Sequence, residues 1–233
     1  MTPLDPNALI HSATTGAAGA ASSGGTAGPV GMIVLLTLAT LLPSIVLSCT
    51  CFVRFVVVLG FVRTGLGTPA APPNQVLVGL ALFMAIFVSA PTAMEMYEKG
   101  GKPYFAGQLT ETAAFDAAIP PLRDFLIKHT SDADLALFID AAGAARPATL
   151  DDVPLRALIP AFIVSELRTA FKIGLTILLP FLVIDLIAAT VLTSLGMVMM
   201  PPATVSLPAK LLVFVMIDGW HVVVESLLRG VRG

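Results

Sequence analysis

Between two prolines the chain reads Ala161-Phe162-Ile163-Val164-Ser165-Glu166-Leu167-Arg168-Thr169-Ala170-Phe171-Lys172-Ile173-Gly174-Leu175-Thr176-Ile177-Leu178-Leu179. The stretch is long enough to cross a bilayer as a helix. Its Leu, Ile, Val and Phe residues are together worth about −5 kcal/mol of membrane insertion. Glu166, Arg168 and Lys172 stand near its middle and cost about +2.5 to +3.5 kcal/mol each, a total of about +8. The charges win, so this helix does not sit alone in lipid. Either its charges pair with other helices, or lipid never surrounds it. Arg168 and Lys172 lie four apart, share a helix face and repel. An acidic partner is therefore expected from Asp185, Asp218 or another subunit. Asp185, Lys210 and Asp218 set the same problem in neighbouring stretches.

The whole chain shares this apolar character. Of its 233 residues 56% are hydrophobic and 12% charged, with a mean hydropathy of +0.91. The charged share is about half that of a soluble domain. A core of this size cannot hide so much apolar surface, which excludes an ordinary cytosolic globule and a disordered protein. The net charge is −2 and no basic stripe exists, which argues against nucleic-acid binding. Cys49 and Cys51, if helical, point about 200° apart and are not expected to bond. With no CxxC and three scattered histidines, no metal site can be drawn. The cysteines read as small apolar core residues.

Charge placement divides the chain. Glu95 to Arg156 holds 16 of the 28 charged side chains, so two apolar blocks flank a polar middle. Residues 1–30 are rich in Ala, Gly, Ser and Thr and read as a disordered tail. Asp5 is the only charge before Arg54, so no basic region of a secretory signal stands out, although a signal-anchor role stays open. Residues 31–95 read as an apolar helical hairpin. Its first arm is the charge-free run Val30–Val53, expected to kink at Pro43. Its second is Val76–Met94, beyond breaks at Gly65-Leu66-Gly67-Thr68-Pro69 and Pro72-Pro73-Asn74.

Residues 96–156 read as a small soluble segment of short amphipathic helices. Pro120-Pro121 is expected to open one, with Leu122, Phe125, Leu126 and His129 on one face. Ser131 is expected to cap the next, with Asp134 completing a weak capping box and Gly143 stopping it. Leu135, Phe138 and Ile139 form its stripe. The charges here read as a solvated face. Residues 157–233 form a second apolar block, expected to break at Pro160, Pro180, Pro201-Pro202 and Pro208. The class is all-α: long broken helical hairpins flanking a small helical soluble segment.

Leu195-Gly196-Met197-Val198-Met199-Met200-Pro201-Pro202 is the most unusual local segment. Gly196, Pro201 and Pro202 make it a helix break. Methionine is unbranched and polarizable and adapts to changing contacts. A ring of such loops could close on itself and reopen around a polypeptide, although composition alone fits gap-filling core residues as well.

Four stretches carry a resemblance. They are Gly65-Leu66-Gly67-Thr68 with Pro72-Pro73-Asn74-Gln75; Leu158-Ile159-Pro160-Ala161-Phe162 through Ser165-Glu166-Leu167-Arg168-Thr169-Ala170-Phe171; Leu179-Pro180-Phe181-Leu182-Val183-Ile184-Asp185; and Gly196 to Pro202 with Ser206-Leu207-Pro208 and Lys210-Leu211-Leu212. From about residue 32 onward the chain resembles the FliP/SctR family of type III secretion export-gate proteins. Asp134-Leu135-Ala136-Leu137-Phe138 and Ile217-Asp218-Gly219-Trp220 resemble the flagellar branch more than the injectisome branch. Val198 interrupts the usual methionine run, and Ala209 stands where phenylalanine is usual.

The resemblance implies an all-helical subunit, five copies of which form a helical pore with FliQ- and FliR-like partners. FlhA- and FlhB-like export proteins and the basal-body ring are the further implied partners. The implied place is the bacterial inner membrane within the flagellar basal body, with the gate largely on the periplasmic side. Met197, Met199 and Met200 are implied to form a gasket closing the pore to all but unfolded export substrates. Arg54, Glu166, Arg168, Lys172, Asp185, Lys210 and Asp218 are candidates for an assembly or buried charge network. No catalytic residue, cofactor or metal is expected. Two other classes were open to the residues alone. A small-molecule or ion transporter would use Glu166 and Asp185 as proton carriers. An intramembrane enzyme would need better company for His11, His129 and His221.

Overall fold

The computed structural model describes residues 29–68, 71–143, 149 and 152–232. The tail expected over residues 1–30 falls outside these, save for Pro29 and Val30. All regular elements among the described residues are helical. The chain divides into two compact units, one up to Val46 and one from Leu47 onward. The first unit's described part lies within α1, Pro29–Ser48. Pro43 lies within it, and Met32, Ile33, Leu36 and Val46 are exposed on it.

The second unit opens where the long run Val30–Val53 was expected to continue as one helix. Instead the chain turns at Cys49–Cys51, and α2 runs over Phe52–Leu66. Thr50 sits in the turn, its hydroxyl donating to the Leu47 carbonyl at 3.0 Å. Local hydroxyl bonding of this kind competes with helix propagation. Both cysteines are free and buried, as small core residues should be.

Helix α2 is the central element. Phe55, Val58, Leu59, Val62 and Leu66 recur at helical spacing and are all buried. They meet Leu77, Ala81, Met84 and Ala85 of α3, Asn74–Met96, so the arm packed on α3 starts at Phe52 and is not the run Val30–Val53 that was expected to form it. Gly67 ends α2 in the left-handed region, φ 72°, where a residue without Cβ is favoured.

After α3 the chain makes a π-helical turn, Tyr97–Gly101, and a short α4, Lys102–Phe105. Helix α5, Glu111–Lys128, starts at Thr110, whose hydroxyl accepts from the Ala113 N–H. Pro120 and Pro121 therefore lie inside α5 and do not open it. The hydroxyl cap and Glu111 in the first turn place the start earlier. The expected face persists, with Leu126 buried and Leu122 and Phe125 partly so. Helix α6, Asp132–Ala141, buries Leu135 and Ile139, and Gly143 follows it at φ 60°.

Helix α7, Leu155–Ser194, is 40 residues long, about 60 Å at 1.5 Å per residue. Pro160 and Pro180 sit inside it and do not break it. Each costs an intrahelical hydrogen bond. The helix survives because both prolines lie next to well-packed residues: Leu158 and Phe162 beside one, Phe181 beside the other, all buried. Pro208 is likewise interior to α8, Ala203–Met216. Of the expected proline breaks in this block, only Pro201-Pro202 is real. Asp218 then takes φ 51°, and α9, Gly219–Arg232, leaves at 64° to α8.

One end of α7 packs on α5 and α6 through Leu126, Leu135, Ile139, Leu158 and Phe162. Its middle lies along α2. Close approach there uses glycines of both helices. The Gly174 position faces the Phe61 ring, and Gly65 faces the Phe181 ring. Among the described residues, two stretches are long and apolar enough to cross a membrane, Asn74–Phe105 and Leu155–Ser194. Helices α8 and α9 pass that test only as a bent pair.

A Cβ at Gly174 would collide with Cδ2 of Phe61, and that ring is already set edge-on against Phe171. Gly174→Ala is therefore expected to destabilise the chain by about 1–3 kcal/mol through overpacking. A Cβ at Gly79 meets nothing within 4 Å, so Gly79→Ala should be neutral or gain up to about 1 kcal/mol. Denaturant titration of both variants in one mild detergent checks the opposite signs.

Candidate functional site

Two features stand out, a set of ion pairs inside the helix bundle and a loop of methionines outside it. Arg54 lies on α2 beside the buried stripe. Its Nε donates to Glu166 Oε2 of α7 at 2.9 Å, and its Nη2 donates to Oε1 of the same carboxylate. The side chains are 4% and 1% exposed. A bidentate fork of this kind fixes both distance and angle. The remaining arm of Arg54, Nη1, donates to the Gly230 carbonyl in the last turn of α9 at 2.8 Å. One guanidinium thus ties α2, α7 and α9. The Cys51 thiol also faces the Glu166 carboxylate.

A second knot joins α6 to α7. Arg168 Nη2 donates to Asp134 Oδ1, and the Ser165 hydroxyl donates to Asp134 Oδ2 at 2.8 Å. The Ser131 N–H donates to the same hydroxyl at 2.9 Å. This corrects two expectations. Asp134 is 2% exposed and is not part of a solvated face. It does not cap α6 directly either, and the Ser131 side chain makes no capping bond. The N–H that a capping box would give to Asp134 goes instead to Ser165, which relays it. The acidic partner of Arg168 is Asp134, not Asp185 or Asp218.

Asp185 has its own partner. Lys210 of α8 donates to Asp185 Oδ2 at 2.6 Å, with the lysine side chain 6% exposed. The other candidates stand apart. Lys172 is exposed and has no acidic partner among the described residues, and Asp218 is exposed at the bend before α9. Of the seven charges expected to form a network, five are in ion pairs. The partners that the sequence did not suggest are Asp134, Ser165 and the Gly230 carbonyl. The position of Asp134 three residues after Ser131 was the one available signal, and it pointed to capping. No group of three potential metal ligands occurs among the described residues.

The methionine loop follows from how α7 ends. Gly196 takes φ 76°; its N–H bonds to the Thr193 carbonyl at 3.0 Å, and the Met197 N–H bonds to the Leu192 carbonyl at 2.9 Å. This six-to-one and five-to-two pair is a Schellman closure, which favours glycine at this site. The Met200 N–H then bonds to the Met197 carbonyl, and Pro201-Pro202 leads into α8. Met199 is 97% exposed, and Met197, Val198 and Met200 are exposed with it. The alternative that these methionines fill a core within the chain is excluded.

Breaking the buried pair on one side strands a charge. Glu166→Gln is expected to cost about 3–5 kcal/mol. The double change Arg54→Met with Glu166→Leu should cost less than Glu166→Gln alone, because it strands neither charge. Thermal unfolding of the three proteins in one detergent checks the order; equal losses for single and double would contradict it.

The FliP family model matches residues 35–227, a range holding all three ion pairs and the methionine loop. The flagellar biosynthetic protein FliP of Bacillus subtilis (strain 168) is 48% identical over 187 residues, which cover 80% of this chain and 85% of the relative. That of Caulobacter vibrioides is 48% identical over 197 residues, covering 83% and 74%. That of Aquifex aeolicus is 41% identical over 191 residues, covering 81% and 80%. With the family model matched across most of the chain and these relatives alike over four-fifths of it, the chain belongs to the FliP family.

Proposed function

We propose that this chain is a subunit of the flagellar type III protein-export gate. Five copies, with FliQ- and FliR-like partners, surround a pore for unfolded export substrates. The flagellar system is preferred to the injectisome because the relatives above are named as flagellar biosynthetic proteins. The gate belongs to the bacterial inner membrane and the basal body, largely on the periplasmic side, next to FlhA- and FlhB-like proteins.

The observation that carries this reading is the methionine loop. Four consecutive apolar side chains, Met197 to Met200, stand exposed on a chain that has buried its own core. Exposed apolar clusters of this kind mark contact with another molecule. Methionine suits a contact that must change shape, since its side chain repacks without branching constraints. Val198 is stiffer. At rest the loops of neighbouring copies pack on each other; in transport they wrap the passing chain. The Schellman closure and Pro201-Pro202 hold both ends of the loop, so the adaptable part is short.

The ion pairs refine the assembly role of the charges. Arg54–Glu166, Arg168–Asp134 and Lys210–Asp185 close within one chain. Of the seven, that leaves Lys172 and Asp218 as the exposed charges outside these pairs, free for contact between subunits.

Replacing Met197, Met199 and Met200 together with Ala removes gasket volume. Cells carrying the triple variant are expected to leak small ions through the gate while export persists. A gate that stays sealed under the same conditions overturns the gasket role. Native mass spectrometry of the chain co-expressed with FliQ- and FliR-like partners should show a particle with five copies. A stable monomer or dimer that ignores those partners overturns the gate reading itself.

A further inference from the structure

His129 follows the last turn of α5 and does two things at once. Its Nδ1 lies 2.7 Å from the Phe125 carbonyl, four residues back in the same helix. Its Nε2 lies 3.1 Å from the Val231 carbonyl in the last turn of α9. Both oxygens are acceptors only. A neutral imidazole carries one N–H and one bare nitrogen, so it can serve one of them and must turn a lone pair toward the other. An imidazolium has two N–H donors and serves both.

The two carbonyls belong to the carboxyl ends of α5 and α9, the negative ends of their helix dipoles. The Phe125 ring lies against the imidazole, centroids 4.5 Å apart. The charged groups around it are known from each neighbouring element. Arg54 of α2, Lys128 of α5 and Arg168 of α7 line the same cavity of about 270 Å³. Glu166 of α7 is close enough for the two charges to interact. Arg54 is held by Glu166, and Arg168 by Asp134 of α6. Glu225 and Arg229 of α9 pair with each other at 2.7 Å. The arginines do not deprotonate, and imidazole is the side chain that exchanges a proton between pH 5 and 8.

We propose that His129 is a proton-operated clasp for α9: protonated, it bonds the carboxyl ends of α5 and α9 together; neutral, it keeps its one N–H on Nδ1, toward the closer Phe125 carbonyl of its own helix, and turns a bare Nε2 toward Val231. Arg54 holds the neighbouring Gly230 carbonyl whatever the pH. Loss of the proton therefore loosens the final turn of α9 without undocking the helix. This inference does not depend on the gasket reading; it concerns the other end of the bundle's chain.

Amide hydrogen exchange of the full-length protein in mild detergent tests it, corrected for intrinsic exchange at each pH. In the unaltered protein, protection of the last turn of α9 should be about three- to tenfold greater at pH 5.5 than at pH 8, the worth of one hydrogen bond. His129→Gln should match the pH 8 behaviour at both values, since an amide cannot donate in two opposed directions. His129→Phe keeps the ring against Phe125 and should behave likewise, which covers the case of a Gln variant that fails to fold. Equal protection at the two pH values in the unaltered protein overturns the clasp. So does a wild-type pH dependence that survives in either variant.

Discussion

A guanidinium and a carboxylate taken out of water between two apolar helices constrain everything packed around them. Hydrophobic contact is non-directional and scales with area. Helices as uniformly apolar as α2, α3 and α7 can therefore slide or rotate against each other at small cost. The Arg54–Glu166 fork cannot. Its two parallel bonds fix which turn of α2 faces which turn of α7. The glycine notches for Phe61 and Phe181 then fall into register further along both helices. A buried pair of this kind adds little net stability against an apolar substitute; its effect is on geometry. The bond from Arg54 to Gly230 extends that geometry to α9.

Much of the fold was legible because the signal was local. The charge-free run Val76–Met94 marked α3, but the helix packed on it, α2, lies beyond the run Val30–Val53 and bears Arg54 and Arg63. Gly67, Gly143 and Gly196 marked helix ends, and all three take positive φ there. Prolines misled, because the rule that they stop helices reflects exposed helices held by backbone bonds alone. Pro160 and Pro180 sit where side-chain packing holds α7 together, and one missing bond is tolerated. The break at Cys49–Cys51 was hidden by the absence of any proline or glycine. Its local marker is the Thr50 hydroxyl, a weak one in sequence.

The candidate site divides the same way. The methionine loop was visible because composition and turn residues coincide in eight positions, and its exposure only excluded the core alternative. The ion-pair partners were not visible. Asp134 sits in the most charged third of the chain, where a carboxylate reads as solvated. Only the packing of α6 on α7, 34 residues away in sequence, buries it against Arg168. The insertion arithmetic over Glu166, Arg168 and Lys172 called for partners or for a place outside lipid, and two of the three have partners within the chain. It could not say which, because long-range pairing leaves no local pattern.

The Arg54–Glu166 bond also carries a timetable. The two residues are 112 positions apart, and Gly230 follows Arg54 by 176. At about 5–20 residues per second of synthesis, Arg54 leaves the ribosome on the order of ten seconds before its carboxylate exists. Through that interval α2 is an apolar helix bearing an unneutralised cation, unsuited to settling deep in lipid. The nascent chain must therefore keep α2 shallow, hydrated or in the care of another protein until α7 arrives. The position of one arginine thus sets the order in which this protein can be built.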